Sequence, residues 1–191
     1  MKIILASSSP RRRELMHYIT DDFDVCTTNE DEILPENLDP YYAAEYLSLK
    51  KAAAASKHHP ENIVIGCDTV VILNGKIIGK PKDSVNAFNI LRAISGKQHD
   101  VVTGCTIICK GKIYSFSQKT SVMFYNISDN EIEEYIASGE PFDKAGGYGI
   151  QGKGALFIKG IEGDYYNVMG LPIAALAKKL KEVIKENKGD I

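Results

Sequence analysis

The chain opens on a short apolar run, Ile3-Ile4-Leu5-Ala6, and then turns abruptly polar. This pattern predicts a strand over Lys2–Ala6, followed by a helix over Pro10–Ile19. Ser9 is the expected N-cap of that helix and Pro10 its first residue, where a missing N–H costs nothing. Phe23–Thr27 predicts a short strand and Thr28–Leu38 an acidic loop. Asp39-Pro40 then gives the cap and first residue of a long helix to about Lys57. Ile63–Leu73 is an almost unbroken apolar run with one acid in it, expected as a buried strand. Asn74-Gly75 predicts a tight hairpin into Ile77-Ile78. Val85, Phe88, Leu91 and Ile94 recur at helical spacing on one side of Val85–Ile94. Val101–Cys109 and Ile113–Tyr125 read as long strands joined across Lys110-Gly111-Lys112. Ser128-x-x-Glu131 is a capping box opening a helix to Ala137. A glycine-rich stretch, Ala145–Gly154, and a strand-like Ala155–Glu162 follow. Pro172 opens a last helix, whose stripe of Ile173, Leu176, Leu180 and Ile184 is expected to pack on the core. The alternation predicts an α/β architecture with a mixed, partly antiparallel sheet and no internal repeat.

Composition narrows the function classes more than the fold. At 191 residues, 44% apolar and 25% charged, the chain can bury a sizeable core without staples. A net charge of −2 provides no global field toward nucleic acid or an anionic membrane. The cysteines, Cys26, Cys67, Cys105 and Cys109, form no Cys-x-x-Cys pair and are expected as free thiols rather than zinc ligands. With no signal-peptide pattern and no run of about 18 apolar residues, a cytoplasmic protein is expected.

Several segments carry candidate chemistry. Ser7-Ser8-Ser9-Pro10-Arg11-Arg12-Arg13 gathers hydroxyls, backbone N–H groups and guanidiniums at one helix start, as a site for a multiply charged anion does; an ordinary capped helix with a solvated basic turn has the same pattern. Asp68 lies inside Ile63–Leu73, where an unpaired acid is costly, so a metal ion, a cation or a proton must neutralise it. Gly66 beside it allows close approach of another group. Lys80 is pinned in Gly79-Lys80-Pro81, and Lys50 or Lys51 would face the sheet if Ala53 and Ala54 do. Glu32 lies in a loop that could fold over the opening segment. Four glycines within Gly146–Gly152 let a backbone approach a flat ligand, with Tyr148 and Gln151 as a ring and an amide; a plain glycine-rich hairpin is the alternative. No Walker A loop is present.

Ala6-Ser7-x-Ser9-Pro10-Arg11-Arg12, Asp68-Thr69-Val70, Gly79-Lys80-Pro81, Ser95-Gly96, Thr103-Gly104, Asp143-Lys144-Ala145-Gly146, Tyr148-Gly149-Ile150-Gln151-Gly152 and Val168-x-Gly170-Leu171-Pro172 stand in order. Together they resemble the Maf family of nucleoside triphosphate pyrophosphatases, from residue 3 to about 180. The resemblance implies an elongated two-lobed α/β fold like that of the inosine triphosphate pyrophosphatases, formed by one domain spanning the chain, with the site in the cleft between lobes. It implies hydrolysis of a nucleoside triphosphate to monophosphate and pyrophosphate with a divalent cation, Mg²⁺ or Mn²⁺. By position, Asp68 matches the catalytic acid, Ser7, Arg12, Lys51 and Lys80 match phosphate-handling residues, and Glu32 matches a metal-side acid with Asp68. Lys50 stands where the family often has a glutamate. Arg11, Thr69 and Gln151 match the set carried by the group acting on dTTP and UTP, which makes those pyrimidine nucleotides the expected substrates. A homodimer is expected by analogy. Two readings compete: clean-up of purine nucleotides such as the inosine form, and a nucleotide-sensing regulator of septum formation without turnover.

Overall fold

The structure is a computed structural model that describes residues 1–28, 30–31 and 33–188. Its strands are β1 (Ile3–Ala6), β2 (Phe23–Cys26), β3 (Ile63–Leu73), β4 (Lys76–Ile78), β5 (Gln98–Cys109), β6 (Lys112–Phe124) and β7 (Ile158–Glu162). Its helices are α1 (Pro10–Met16), α2 (Ala43–Ser56), α3 (Ser84–Ile94), α4 (Asp129–Ala137), α5 (Tyr165–Met169) and α6 (Ile173–Lys188). The sheet runs in the order β2-β1-β3-β5-β6-β7, with β4 hairpinned onto β3. β1 lies parallel to both β2 and β3, while β4 on β3 and β7 on β6 are antiparallel, so the sheet is mixed as the pattern predicts. Central parallel strands are covered on both faces, which is why Ile3–Ala6 and Ile63–Leu73 read as near-continuous apolar runs.

The chain divides into two compact units: Met1–Asp68, Thr103–Gln118 and Gly170–Ile191 form one, and Thr69–Val102 with Lys119–Met169 the other. In the first unit, α2 lies directly on the sheet; its Ala43, Ala44, Ala52 and Ala55 are fully buried, and Ala52 and Ala55 pack with Ile4, Ala6, Val64 and Ile108. This approach needs glycine on the strands. A Cβ on Gly66 would stand 2.7 Å from the Ala52 nitrogen, and one on Gly104 would overlap the Ala44–Glu45 peptide. The second unit builds a separate core from Val71, Leu91, Ile94, Val101, Val122, Phe124, Ile132, Tyr135, Tyr148 and Phe157.

Several expected boundaries move. α1 stops at Met16, because the N–H groups of His17 and Tyr18 bond to Glu14 and Leu15, tightening the last turn. The helix expected from Pro40 begins with a 3-10 turn, Pro40–Tyr42. Val85 is 73% exposed; it lies in the first turn of α3, before the helix reaches the core. The strand expected from Ala155 begins at Ile158, after a 3-10 turn over Lys153–Phe157. The Asn74-Gly75 turn, with both φ values positive, and the Ser128–Glu131 capping box form where expected.

His99 on β5 has a thermodynamic consequence. It is buried, its Nε2 lies 2.7 Å from the Tyr148 hydroxyl, and Phe124 packs edge-on at 5.0 Å. Burial pushes its pKa down from 6.5 to about 4. The unfolded chain therefore takes up a proton that the folded chain refuses, and stability falls as pH drops from about 6.5 to about 4. The loss should approach about 3 kcal/mol at the lower limit. Urea midpoints at pH 7 and pH 4.5 should differ less for His99→Gln, which cannot titrate, than for the natural chain; equal differences would contradict this account.

Candidate active site

The opening segment organises itself around Ser7. The chain turns as soon as β1 ends, and the Ser7 N–H donates back to the Leu5 carbonyl at 3.0 Å. Ser7 is buried, and its Oγ accepts from the Ser9 N–H at 3.3 Å and from the Arg12 guanidinium at 3.5 Å. Ser9 caps α1 by accepting the Arg12 N–H. The Arg12 Nε donates to the Gly170 carbonyl at 2.8 Å, across 158 positions of sequence. Gly170 has φ 108°, a backbone conformation that favours glycine, so the Val168–Pro172 segment presents a carbonyl that aims Arg12. Nothing in the local sequence of this segment signals that role.

Asp68 sits two residues after Gly66, on the same face of β3, the face α2 covers. α2 brings Lys51 against it, and the Lys51 Nζ forms an ion pair with the Asp68 carboxylate. Of the neutralisers open to Asp68, a cation of the chain is therefore in place. The two side chains are only 16% and 9% exposed, so neither charge is compensated by solvent alone. Lys50, one residue earlier, donates to the Asp31 carbonyl at 2.6 Å and tethers the acidic loop instead. Lys51 is thus the helix lysine that meets the acid; of the alanines after it, Ala52 and Ala55 are fully buried, and Ala53 packs partly buried against the same core.

Ala6, Ser7, Ser8, Arg12, Thr28, Glu30 and Lys51 line one pocket of the first unit. The structure therefore brings Ser7, Arg12 and Lys51 together, with Asp68 joined to Lys51. Thr28 and Glu30, whose sequence context signals only an acidic loop, join the lining. Glu32 lies outside the described residues. Among the described residues no cluster of three or more His, Cys, Asp or Glu suits a metal on its own. Glu30 lines this pocket and Asp68 pairs with Lys51 of the same lining; each carboxylate is a hard oxygen donor, and Mg²⁺ or Mn²⁺ suits one or two such groups with substrate phosphates completing the shell.

Arg11 is half-buried on α1, next to Arg12. Thr69 follows Asp68 in β3 and faces the other side of the strand, as does Cys67, whose Sγ lies 3.6 Å from the Sγ of Cys105. Lys80 and Gln151 belong to the second unit. Lys80 is exposed, but its neighbours are fixed: the Gly79 carbonyl accepts from the Gly146 N–H at 3.1 Å, and Pro81 is buried against Gly147. The lysine and the glycine-rich segment are thereby tied together. Gln151 is exposed on that segment. Tyr148 corrects an expectation. It is 5% exposed, packed on Phe124 at 4.7 Å and bonded to His99, so it is a core side chain and not a ring offered to a flat ligand.

A family profile described as "Maf-like protein" matches residues 2–183. A "dTTP/UTP pyrophosphatase" of Bacillus cytotoxicus is 46% identical over 181 residues, covering 95% of each chain. A protein of the same description from Geobacillus sp. is 44% identical over 182 residues, covering 95% of this chain and 98% of its own. Among solved structures, the Staphylococcus aureus Ham1 protein aligns with 66% of this chain and 73% of its own at 18% identity, with a TM-score of 0.46.

Proposed function

This chain belongs to the Maf family, and we propose that it hydrolyses nucleoside triphosphates, dTTP and UTP by preference, to the monophosphate and pyrophosphate. The observation that carries the reading is the buried Lys51–Asp68 pair beside a pocket lined by Ser7, Arg12 and Lys51. A triphosphate resists attack because its own negative charge repels a nucleophile. Arg12 and Lys51, with Lys80 by family position, offset that charge, and the Ser7 hydroxyl and local N–H groups orient the phosphate oxygens. Asp68 takes the proton of the attacking water as the bond from the α-phosphorus to the bridging oxygen breaks and pyrophosphate leaves. Lys51 holds the carboxylate in place and balances its charge.

A divalent cation, Mg²⁺ or Mn²⁺, belongs to the same proposal. Asp68, with Glu32 by family position, would hold it, and it would supply charge neutralisation at the phosphate oxygens. Arg11, Thr69 and Gln151 are assigned to base choice. Uracil and thymine present a donor flanked by carbonyl acceptors, which a neutral amide can match, whereas guanine presents two adjacent donors that suit a carboxylate. The four free cysteines agree with action in a reducing compartment such as the cytoplasm. No helix among the described residues is long and apolar enough to cross a membrane.

A panel of nucleoside triphosphates with Mg²⁺ or Mn²⁺, scored for pyrophosphate, tests the proposal. dTTP and UTP should lead the purine nucleotides, a chelator should abolish release, and added metal should restore it. Gln151→Glu should depress dTTP and UTP turnover by placing a charge against a carbonyl oxygen, at about 1–3 kcal/mol. Nucleotide binding without pyrophosphate release would make the protein a sensor instead. A natural preference for GTP would overturn the base assignment.

A further inference from the structure

Gln151 sits on a loop whose two sides are closed at the neck by one carboxylate. The Oε1 of Glu140 accepts from the Gly154 N–H at 3.2 Å and from the Tyr135 hydroxyl at 3.0 Å, and its Oε2 accepts from the Lys153 N–H at 3.0 Å. The same Tyr135 hydroxyl and the Gly149 nitrogen both close around Gly154, 2.8 Å and 3.0 Å from where a Cβ there would stand. Glu140 therefore grips the descending side of the Gly149–Gly154 loop directly, and the Tyr135 hydroxyl it holds packs between that side and the ascending one. The contact is close: a Cβ on Gly152 would stand 2.7 Å from a Glu140 carboxylate oxygen, and one on Gly154 would stand 2.6 Å from the Gly149 carbonyl oxygen. Lys144 adds a brace, with its Nζ donating to the Glu140 carbonyl at 2.7 Å and its stem lying against Gly149. One residue before the neck, Tyr148 is anchored to His99. The result is a glycine-rich loop fixed at its base whose tip exposes Gln151.

We infer that Glu140 is a positioning residue for base selection: its carboxylate, with the Tyr135 hydroxyl, sets the orientation in which Gln151 meets the pyrimidine edge. This rests on the proposed role of Gln151. The chemistry requires an acceptor-only group. Three donors converge on Glu140 from Tyr135, Lys153 and Gly154, and a carboxylate can receive them all, whereas an amide in its place turns an NH₂ against at least one. A base read through paired hydrogen bonds is sensitive to small displacements of the reading group, so a loosened neck should cost discrimination before it costs chemistry.

The test compares Glu140→Gln, Glu140→Asp, Tyr135→Phe and Gln151→Ala, with dTTP and dGTP as substrates and pyrophosphate release as readout. Glu140→Gln should lower the dTTP-to-dGTP ratio of kcat/KM by about tenfold, mainly through a raised KM for dTTP, and Tyr135→Phe should shift it in the same direction. Glu140→Asp, which keeps the carboxylate, should recover part of the ratio. An equal fall on both nucleotides, or an unchanged ratio in Glu140→Gln and Tyr135→Phe while Gln151→Ala shifts it, would overturn the positioning role and leave the role of Gln151 standing. If Gln151→Ala leaves the ratio unchanged, the base-reading role itself fails and the inference falls with it. If Glu140→Gln does not fold, Tyr135→Phe decides the matter on the same criterion.

Discussion

Asp68→Asn is expected to slow pyrophosphate release from dTTP by about 10²-fold or more while the protein remains folded. The substitution keeps the shape of the side chain and removes its charge and its ability to take a proton. It also strands the ammonium of Lys51, which is 16% exposed and paired with Asp68. Breaking a buried pair from one side costs up to about 3–5 kcal/mol, and the pocket edge where Lys51 sits moderates that figure. Stability and activity must therefore be read separately. The double variant Asp68→Asn/Lys51→Met removes both charges and should regain stability relative to Asp68→Asn alone. It should regain no turnover. Recovery of pyrophosphate release in the double variant would mean that the single change acts through unfolding and that Asp68 has no chemical role.

Gly104→Ala is expected to be the most damaging single methyl addition in the first unit. The new Cβ would overlap the backbone at Ala44 and Glu45, where α2 begins, and a backbone cannot rotate out of the way as a side chain can. α2 would have to lift from the sheet, loosening Ala52 and Ala55 from Ile4, Val64 and Ile108. Overpacking a core costs about 1–3 kcal/mol when side chains yield, and the upper end or beyond applies here. Because α2 also carries Lys51, a Gly104→Ala protein that still folds should show a raised KM for dTTP with its lowered urea midpoint. An unchanged midpoint would show that α2 does not rest on β5 as described.

The parts legible in the sequence were those fixed by neighbours in the chain. The Asn74-Gly75 hairpin, the Ser128–Glu131 box and the Ser9 cap form because a turn or a helix start is decided within about four residues. Asp68 was conspicuous because an acid inside an apolar strand requires a partner, and the structure supplies Lys51. The unreadable parts depend on distant segments. Nothing near Arg12 announces that its guanidinium is held by Gly170, and nothing near Glu140 announces its hold on Lys153 and Gly154. Glycines on both sides of Tyr148 leave an open surface and a plain hairpin equally compatible with the sequence, and only the distant Phe124 and His99, toward which its ring turns, decide between them. Pattern also placed Val85 on the apolar side of α3 without showing that the core begins one turn later.

The placement of the thiols gives the protein a built-in gauge of its own breathing. Cys67 and Cys105 are wholly enclosed on neighbouring strands with their sulfurs 3.6 Å apart, Cys109 is enclosed on β5 as well, and Cys26 is half-buried on the edge strand β2. An alkylating reagent can reach Cys26 through fraying at the sheet edge. It can reach Cys67 and Cys105 only when β3 and β5 part, which is an opening close to global unfolding. Labelling followed by mass therefore separates into a fast addition and slow ones. The slow phase measures the hidden strands beneath Asp68, and its retardation by a bound nucleotide measures how far the ligand clamps that part of the sheet, with no engineered probe and no turnover required.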